Sequence, residues 1–142
     1  MIAAWFALAA ADPVPPTPAR QRSVGAAVQI VRRYYAAIQR HDYRAAYALW
    51  NGGRSFAAFR RGYMQTVRVS VTPISPFHVE GAAGSAYAEI RVRLDAKLRN
   101  GTHQHFVGRY MLRRANDVDG STSAQRRWHI QSAHLEVVPA SH

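Results

Sequence analysis

The sequence predicts one α+β domain, with N-terminal helices packed on a curved antiparallel sheet of about four strands. Three observations carry this. Apolar residues recur at helical spacing only between about residues 24 and 63. From Thr66 onward the apolar period drops to two. The chain has 142 residues, enough for one real core and too few for two.

The elements follow in order. Ser23 is placed to cap a first helix, its hydroxyl accepting an early backbone N–H. Val24, Val28, Val31, Tyr35 and Ile38 then form one apolar stripe running to about residue 40, with Arg32, Arg33 and Arg40 off it. Asp42 caps a second, shorter helix with Tyr43, Ala46, Tyr47 and Trp50 inward, and Asn51-Gly52-Gly53 stops it. Ser55 opens a third, with Phe56, Phe59 and Tyr63 inward. Val67, Val69 and Val71 alternate along a strand over Thr66–Thr72, which Pro73 and Pro76 are expected to break. Phe77–Glu80 reads as a separate short strand before a turn at Gly81–Gly84. Tyr87–Leu98 is the clearest strand, with Ala88, Ile90, Val92 and Leu94 on one face and Glu89, Arg91, Arg93 and Asp95 on the other. Asn100-Gly101 signals a hairpin into His103–Arg114, where Phe106, Gly108, Tyr110 and Leu112 share a face. The last strand, Arg126–Val138, changes parity: Trp128 and Ile130 hold one phase, Ala133, Leu135 and Val137 the other. A bulge near Ser132 reconciles them.

Composition bounds the chemistry. There is no cysteine, which excludes disulfides and thiolate metal sites. The formal charge is +11, and every basic residue except Lys97 is arginine. A field of that sign attracts phosphate, anionic headgroups or acidic glycans, although a GC-rich genome produces the same bias. Residues 1–11 form an apolar run ending in small residues, the pattern of a signal-peptide remnant, without the basic segment that normally precedes it. It is too short to span a bilayer. Residues 12–21 read as a Pro-rich linker, 22–138 as the domain and 139–142 as a tail. The expected location is periplasmic or secreted.

Four segments carry a resemblance: Val31-Arg-Arg-Tyr-Tyr-Ala-Ala-Ile38, His41-Asp-Tyr-Arg-Ala-Ala-Tyr-Ala-Leu-Trp50, Ser55-Phe-Ala-Ala-Phe-Arg-Arg-Gly-Tyr63 and Arg126-Arg-Trp-His-Ile130. In their order and spacing they resemble the nuclear transport factor 2-like superfamily, and most of all its uncharacterised exported bacterial members, over about residues 22–138. The resemblance implies a helix-lined cone. The superfamily includes isomerases, dehydratases, polyketide cyclases, adaptors and proteins of no known activity, so fold alone does not assign function. It also implies a homodimer through the outer sheet face, where Arg91, Arg93 and Lys97 would need acidic partners.

The aromatic set Tyr34, Tyr35, Tyr47, Trp50, Phe56, Phe59, Tyr63, Tyr110 and Trp128 is expected to converge in the cone, either as a pocket for a small apolar ligand or as plain core. Isomerase-like relatives use an interior Asp base with a tyrosine-containing oxyanion hole. No equivalent is readable here: Glu89 and Asp95 lie on the polar strand phase, Asp42 caps a helix, Asp117 and Asp119 sit in a loop, and Glu80 and Glu136 lie near element ends. His129 faces the cavity only if the bulge lies elsewhere. His103 and His105 have a metal-capable spacing with no fixed third ligand, so neither metal nor cofactor is expected. Arg60, Arg61, Arg113, Arg114, Arg126 and Arg127 are the anion-binding candidates, and nucleic acid is not the expected partner. The leading expectation is an exported, non-catalytic domain binding a small ligand or an envelope partner. The alternatives are an isomerase or cyclase of the same fold and an anionic-surface binder.

Overall fold

Ser23 starts the first helix as its chemistry requires: its Oγ accepts the Ala26 N–H at 3.2 Å. A computed structural model of the chain describes residues 23–116 and 120–139. The expected signal segment, the linker, all of the tail but Pro139, and the loop acids Asp117 and Asp119 lie outside the described residues. Helix α1 spans Val24–Gln39 and buries Ala27, Val28, Ile30, Val31, Tyr34, Tyr35, Ala37 and Ile38. Its apolar stripe is wider than the expected five residues because the helix lies in a concavity and is covered on both flanks. Arg32, Arg33 and Arg40 face solvent.

The chain reverses at His41, whose positive φ of 62° occupies the left-handed position that often ends a helix. Asp42 Oδ1 then accepts the Ala45 N–H at 3.2 Å and opens α2, Tyr43–Tyr47. This helix ends before Trp50, contrary to the sequence reading. Trp50 instead bridges to Ile130: the Asn51 N–H donates to the Ile130 carbonyl at 2.8 Å, and the Ile130 N–H donates to that of Leu49 at 2.7 Å. Tertiary pairing captures the segment before a third turn can form. Ser55 Oγ caps α3, Phe56–Arg61, through the Ala58 N–H at 3.2 Å, and Phe59 points into the core.

Four antiparallel strands follow in sequence order, β1 Thr66–Ala82, β2 Ser85–Leu98, β3 His103–Ala115 and β4 His129–Val137. Contrary to the sequence reading, Pro73 and Pro76 do not divide β1, and Phe77–Glu80 belongs to the same strand. The prolines sit on an edge strand, where a missing N–H costs no ladder bond, and the register merely slips between Ile74 and His78. β4 begins three residues later than expected. Its bulge lies where parity placed it: Met111 pairs with Ser132 and Leu112 with Ile130, leaving Gln131 extra. The Asn100-Gly101 hairpin is present, with Gly101 at φ 88° and Asn100 Oδ1 accepting the Thr102 N–H at 2.9 Å.

Alternation along the strands separates a concave face from a convex one. Ala88, Ile90, Val92 and Leu94 of β2, Tyr110 and Leu112 of β3, and Ile130 of β4 are buried beneath α1. Fully burying each large aliphatic stabilises the fold by about 1.5–3 kcal/mol. Curvature has a local cause at Gly108. A Cβ there would lie 1.9 Å from the His134 carbonyl oxygen and 2.8 Å from the Leu135 Cα. Only glycine lets β4 come this close to β3, and the sheet bends there. Gly108→Ala is therefore expected to lower stability by about 1–3 kcal/mol, read by urea unfolding. A neutral result would show that the close approach is not required.

Candidate functional site

Adjacent positions on α1 point about 100° apart, yet the rings of Tyr34 and Tyr35 remain in edge contact, with centroids 4.9 Å apart. Tyr34 turns toward the helical wall, with ring centroids 6.2 Å from Phe59, 6.3 Å from Tyr63 and 6.3 Å from Trp50. Tyr35 turns toward the sheet and packs edge-on against Tyr110 at 6.0 Å. Their hydroxyls meet partners from other elements. Tyr34 and Tyr63 hydroxyls are 2.7 Å apart, and those of Tyr35 and Tyr110 are hydrogen-bonded.

Burial holds all four phenols above their ordinary pKa. Desolvation is the main cause for Tyr34, Tyr35, Tyr63 and Tyr110, and neighbouring phenols add to it for Tyr34, Tyr35 and Tyr110. At neutral pH these groups donate hydrogen bonds and do not act as bases. Each hydroxyl carries one hydrogen. Two bonded pairs use two of the four hydrogens, so the cluster keeps donors to spare.

Beside this cluster lies a cavity of about 210 Å³. Tyr35 and Tyr63 present their rings to it. Val69, Leu94, Leu98, Phe106 and Leu135 form apolar walls, and Gln65, Thr66 and Gln104 supply polar groups. Among the described residues its lining contains no carboxylate and no imidazole.

The sequence-derived pocket set therefore divides. Tyr35 and Tyr63 line the cavity, and Tyr110 supports it from below through Tyr35. Phe59 and Trp128 are core. Tyr47 and Phe56 pack on each other at 5.4 Å, the Tyr47 hydroxyl donates to the Arg54 carbonyl at 2.7 Å, and the Arg44 guanidinium lies 4.3 Å above the Phe56 ring. Trp50 closes the far side of Tyr34; its buried indole N–H, like that of Trp128, lacks a partner within hydrogen-bonding geometry. Gln104 was missed although its signal was available, since it shares the inward parity of Phe106. Gln65 sits at the α3–β1 junction, where no periodicity identifies a facing side chain.

The arginine candidates do not form one patch. Arg60 and Arg61 are exposed on α3. Arg113 donates to Ser85 Oγ at 2.8 Å from the convex face. Arg114 is buried, with Nε donating to the Arg126 carbonyl at 2.7 Å, and Arg126 donates to the carbonyls of Ser121 and Thr122. These last two arginines hold the loop before β4. Arg113 and Arg114 border a larger cleft of about 360 Å³ with Asn51, Gln125 and His129. That cleft is polar and open, and it lacks the apolar walls that retain a small organic guest.

Among the described residues the carboxylates stay outside the cone. Glu89 and Asp95 occupy the convex face, where Asp95 pairs with His105, and His134 Nε2 lies 3.2 Å from Glu136 Oε1. His129, before the bulge, shares that face with Arg113. Among the described residues no three metal-ligating side chains cluster. No described helix is long and apolar enough to cross a membrane.

No protein-family model matches the sequence, and none of the curated proteins matches it. Solved structures do. A candidate aromatic ring hydroxylase from Novosphingobium aromaticivorans superposes with a TM-score of 0.62 at 14% identity, over 88% of this chain and 94% of its own. A candidate scytalone dehydratase from the same species gives 0.57 at 13%, over 82% and 84%. A nuclear transport factor 2-like superfamily protein from Salmonella enterica serovar Typhimurium gives 0.55 at 17%, over 80% and 89%. The fold is therefore nuclear transport factor 2-like, as the sequence motifs implied.

Raised phenol pKa values give a signed prediction. An unfolded chain releases tyrosine protons from about pH 10, while the folded chain retains those of Tyr34, Tyr35, Tyr63 and Tyr110. Their contribution to stability is complete below that pH and is lost as pH rises through the higher, folded values. In an alkaline spectrophotometric titration these four should ionise only as the protein unfolds. Smooth ionisation of all tyrosines in a still-folded protein would contradict their burial.

Proposed function

We propose that the chain binds a small uncharged molecule in the cone cavity and does not transform it. The observation that supports this is the lining: apolar walls, tyrosine donors that cannot serve as bases, and no interior carboxylate or imidazole among the described residues. General acid–base chemistry needs a group that changes protonation near neutral pH. A donor cluster with hydrogens to spare instead recognises an acceptor oxygen.

Size narrows the guest. An apolar cavity of about 150 Å³ accommodates benzene, so about 210 Å³ suits one substituted ring. The likeness to a candidate aromatic ring hydroxylase is in keeping with a ring-bearing guest. With residues 1–11 read as an export address, such a binder would work in the cell envelope.

The test uses acetophenone as a carbonyl-bearing ring and toluene as its apolar counterpart, with binding measured by ligand-observed NMR. Acetophenone should bind more tightly than toluene. Tyr63→Phe should reduce acetophenone affinity by about 2- to 10-fold, the worth of one hydrogen bond, and leave toluene unchanged. Ala96→Phe, which fills the cavity, should abolish both. Binding of neither probe, or binding indifferent to both substitutions, overturns the proposal.

A further inference from the structure

Charge is not shared evenly between the two layers. Among the described acids, Glu80, Glu89, Asp95 and Glu136 all stand on strands, and only Asp42 lies among the helices. The helical layer, residues 23–65, carries Arg32 and Arg33 on α1, Arg40 at its end and Arg44 on α2. Arg54 lies ahead of α3, with Arg60 and Arg61 on it, and every one of these arginines is exposed. Asp42 lies 3.7 Å from Arg40, and among the described residues no other arginine of this layer has an ion pair. Codon usage multiplies arginine throughout a chain, but it does not draw the acids away from one layer. On the convex face, by contrast, Glu89, Asp95 and Glu136 are interleaved with Arg91, Arg93 and Arg109.

The residues between the arginines narrow the partner. Gly25, Ala36, Ala57 and Ala58 are exposed and add little bulk, while exposed Gln29 and Asn51 carry amides. None of the layer's Phe, Tyr or Trp rings is exposed, and among its described residues only Met64 is large, apolar and exposed. A surface that seats in a bilayer inserts apolar side chains past the headgroups. One that holds single-stranded nucleic acid stacks bases on open rings. This layer has neither feature. Guanidinium forks beside amides and small residues instead match carboxylates and hydroxyls on a hydrated chain. Arg44 is held ready for this, because its guanidinium rests over the Phe56 ring, 4.3 Å from the centroid. The ring restrains the cation without using its N–H groups.

We propose that the outer surface of the helical layer binds an acidic polysaccharide, its arginines pairing with carboxylates of the uronate type and Gln29 and Asn51 meeting sugar hydroxyls. One exposed ion pair contributes little. Affinity therefore comes from several engaged at once along a polymer, and a single sugar acid is too small to collect them. The surface is separate from the cone cavity. Arg32, Arg33, Arg60 and Arg61 occupy the exposed side of α1 and α3, while Tyr34 and Phe59 hold the buried side. A guest in the cavity and a chain on the surface do not compete for the same side chains.

Titration calorimetry of the full chain with polygalacturonate tests this, with neutral dextran, phosphatidylglycerol vesicles and duplex DNA as the competing probes. Polygalacturonate should bind, dextran should not, and the affinity should fall as sodium chloride is raised. Arg32→Gln, Arg33→Gln and Arg61→Gln together should weaken binding by about 10-fold or more. Arg91→Gln, Arg93→Gln and Arg109→Gln together remove the same net charge from the convex face, and should change it by less than about 2-fold. Circular dichroism checks that both variants fold. If the helical one does not, Arg60→Gln with Arg61→Gln decides, with a loss of about 3-fold or more expected. No binding of polygalacturonate at low salt overturns the proposal. So do equal losses in the two triple variants, which would reduce the effect to net charge. Tighter binding of vesicles or duplex DNA also overturns it, and would give the surface to a lipid or nucleic-acid partner.

Discussion

The seating of α1 in the concave face of the sheet is the constraint on which everything else rests. Val31, Tyr34, Tyr35 and Ile38 bury against a surface built from Ile90, Val92, Tyr110 and Leu112. A flat sheet could not cover both flanks of this helix. The close approach of β3 and β4 at Gly108 and the bulge at Gln131–Ser132 supply the bend. Because the helix fills one end of the concavity with tyrosine rings, the other end is left as a cavity lined by two of those rings together with Gln65, Thr66 and Gln104.

That arrangement governs the site's chemistry. Phenols held away from water stay protonated, so they offer hydrogen bonds to the interior at neutral pH. Charge is sorted outward by strand alternation: Glu89, Arg91, Arg93 and Asp95 all share the convex face. The same sorting leaves β4 with His134 and Glu136 on one side and Ala133, Leu135 and Val137 on the other.

Much of this was legible in the sequence because it depends on local rules. The caps at Ser23, Asp42 and Ser55 were readable, as each is a short polar side chain before a helical stretch. The bulge was readable from the parity change between Ile130 and Ala133. What was not legible depends on pairing at a distance. Trp50 has helical spacing from Tyr43 and Tyr47, yet its neighbours bond Ile130, eighty residues away in sequence. Pro73 and Pro76 look like breaks until β1 is known to be an edge strand. The pocket set over-counted for the same reason: composition shows that aromatics converge, but only tertiary geometry distinguishes Tyr63, which faces the cavity, from Phe59, which fills the core. The arginine pairs gave no sign that Arg114 and Arg126 are engaged by the loop between β3 and β4.

The most direct test of the account is a double-mutant cycle on Tyr35→Phe and Tyr110→Phe, measured by urea unfolding. These two residues tie α1 to the sheet at the floor of the cone. The account predicts a coupling energy of about 0.5–1.5 kcal/mol between them. Additive effects would mean that the hydroxyls do not meet, and that the helix and sheet are not joined as described.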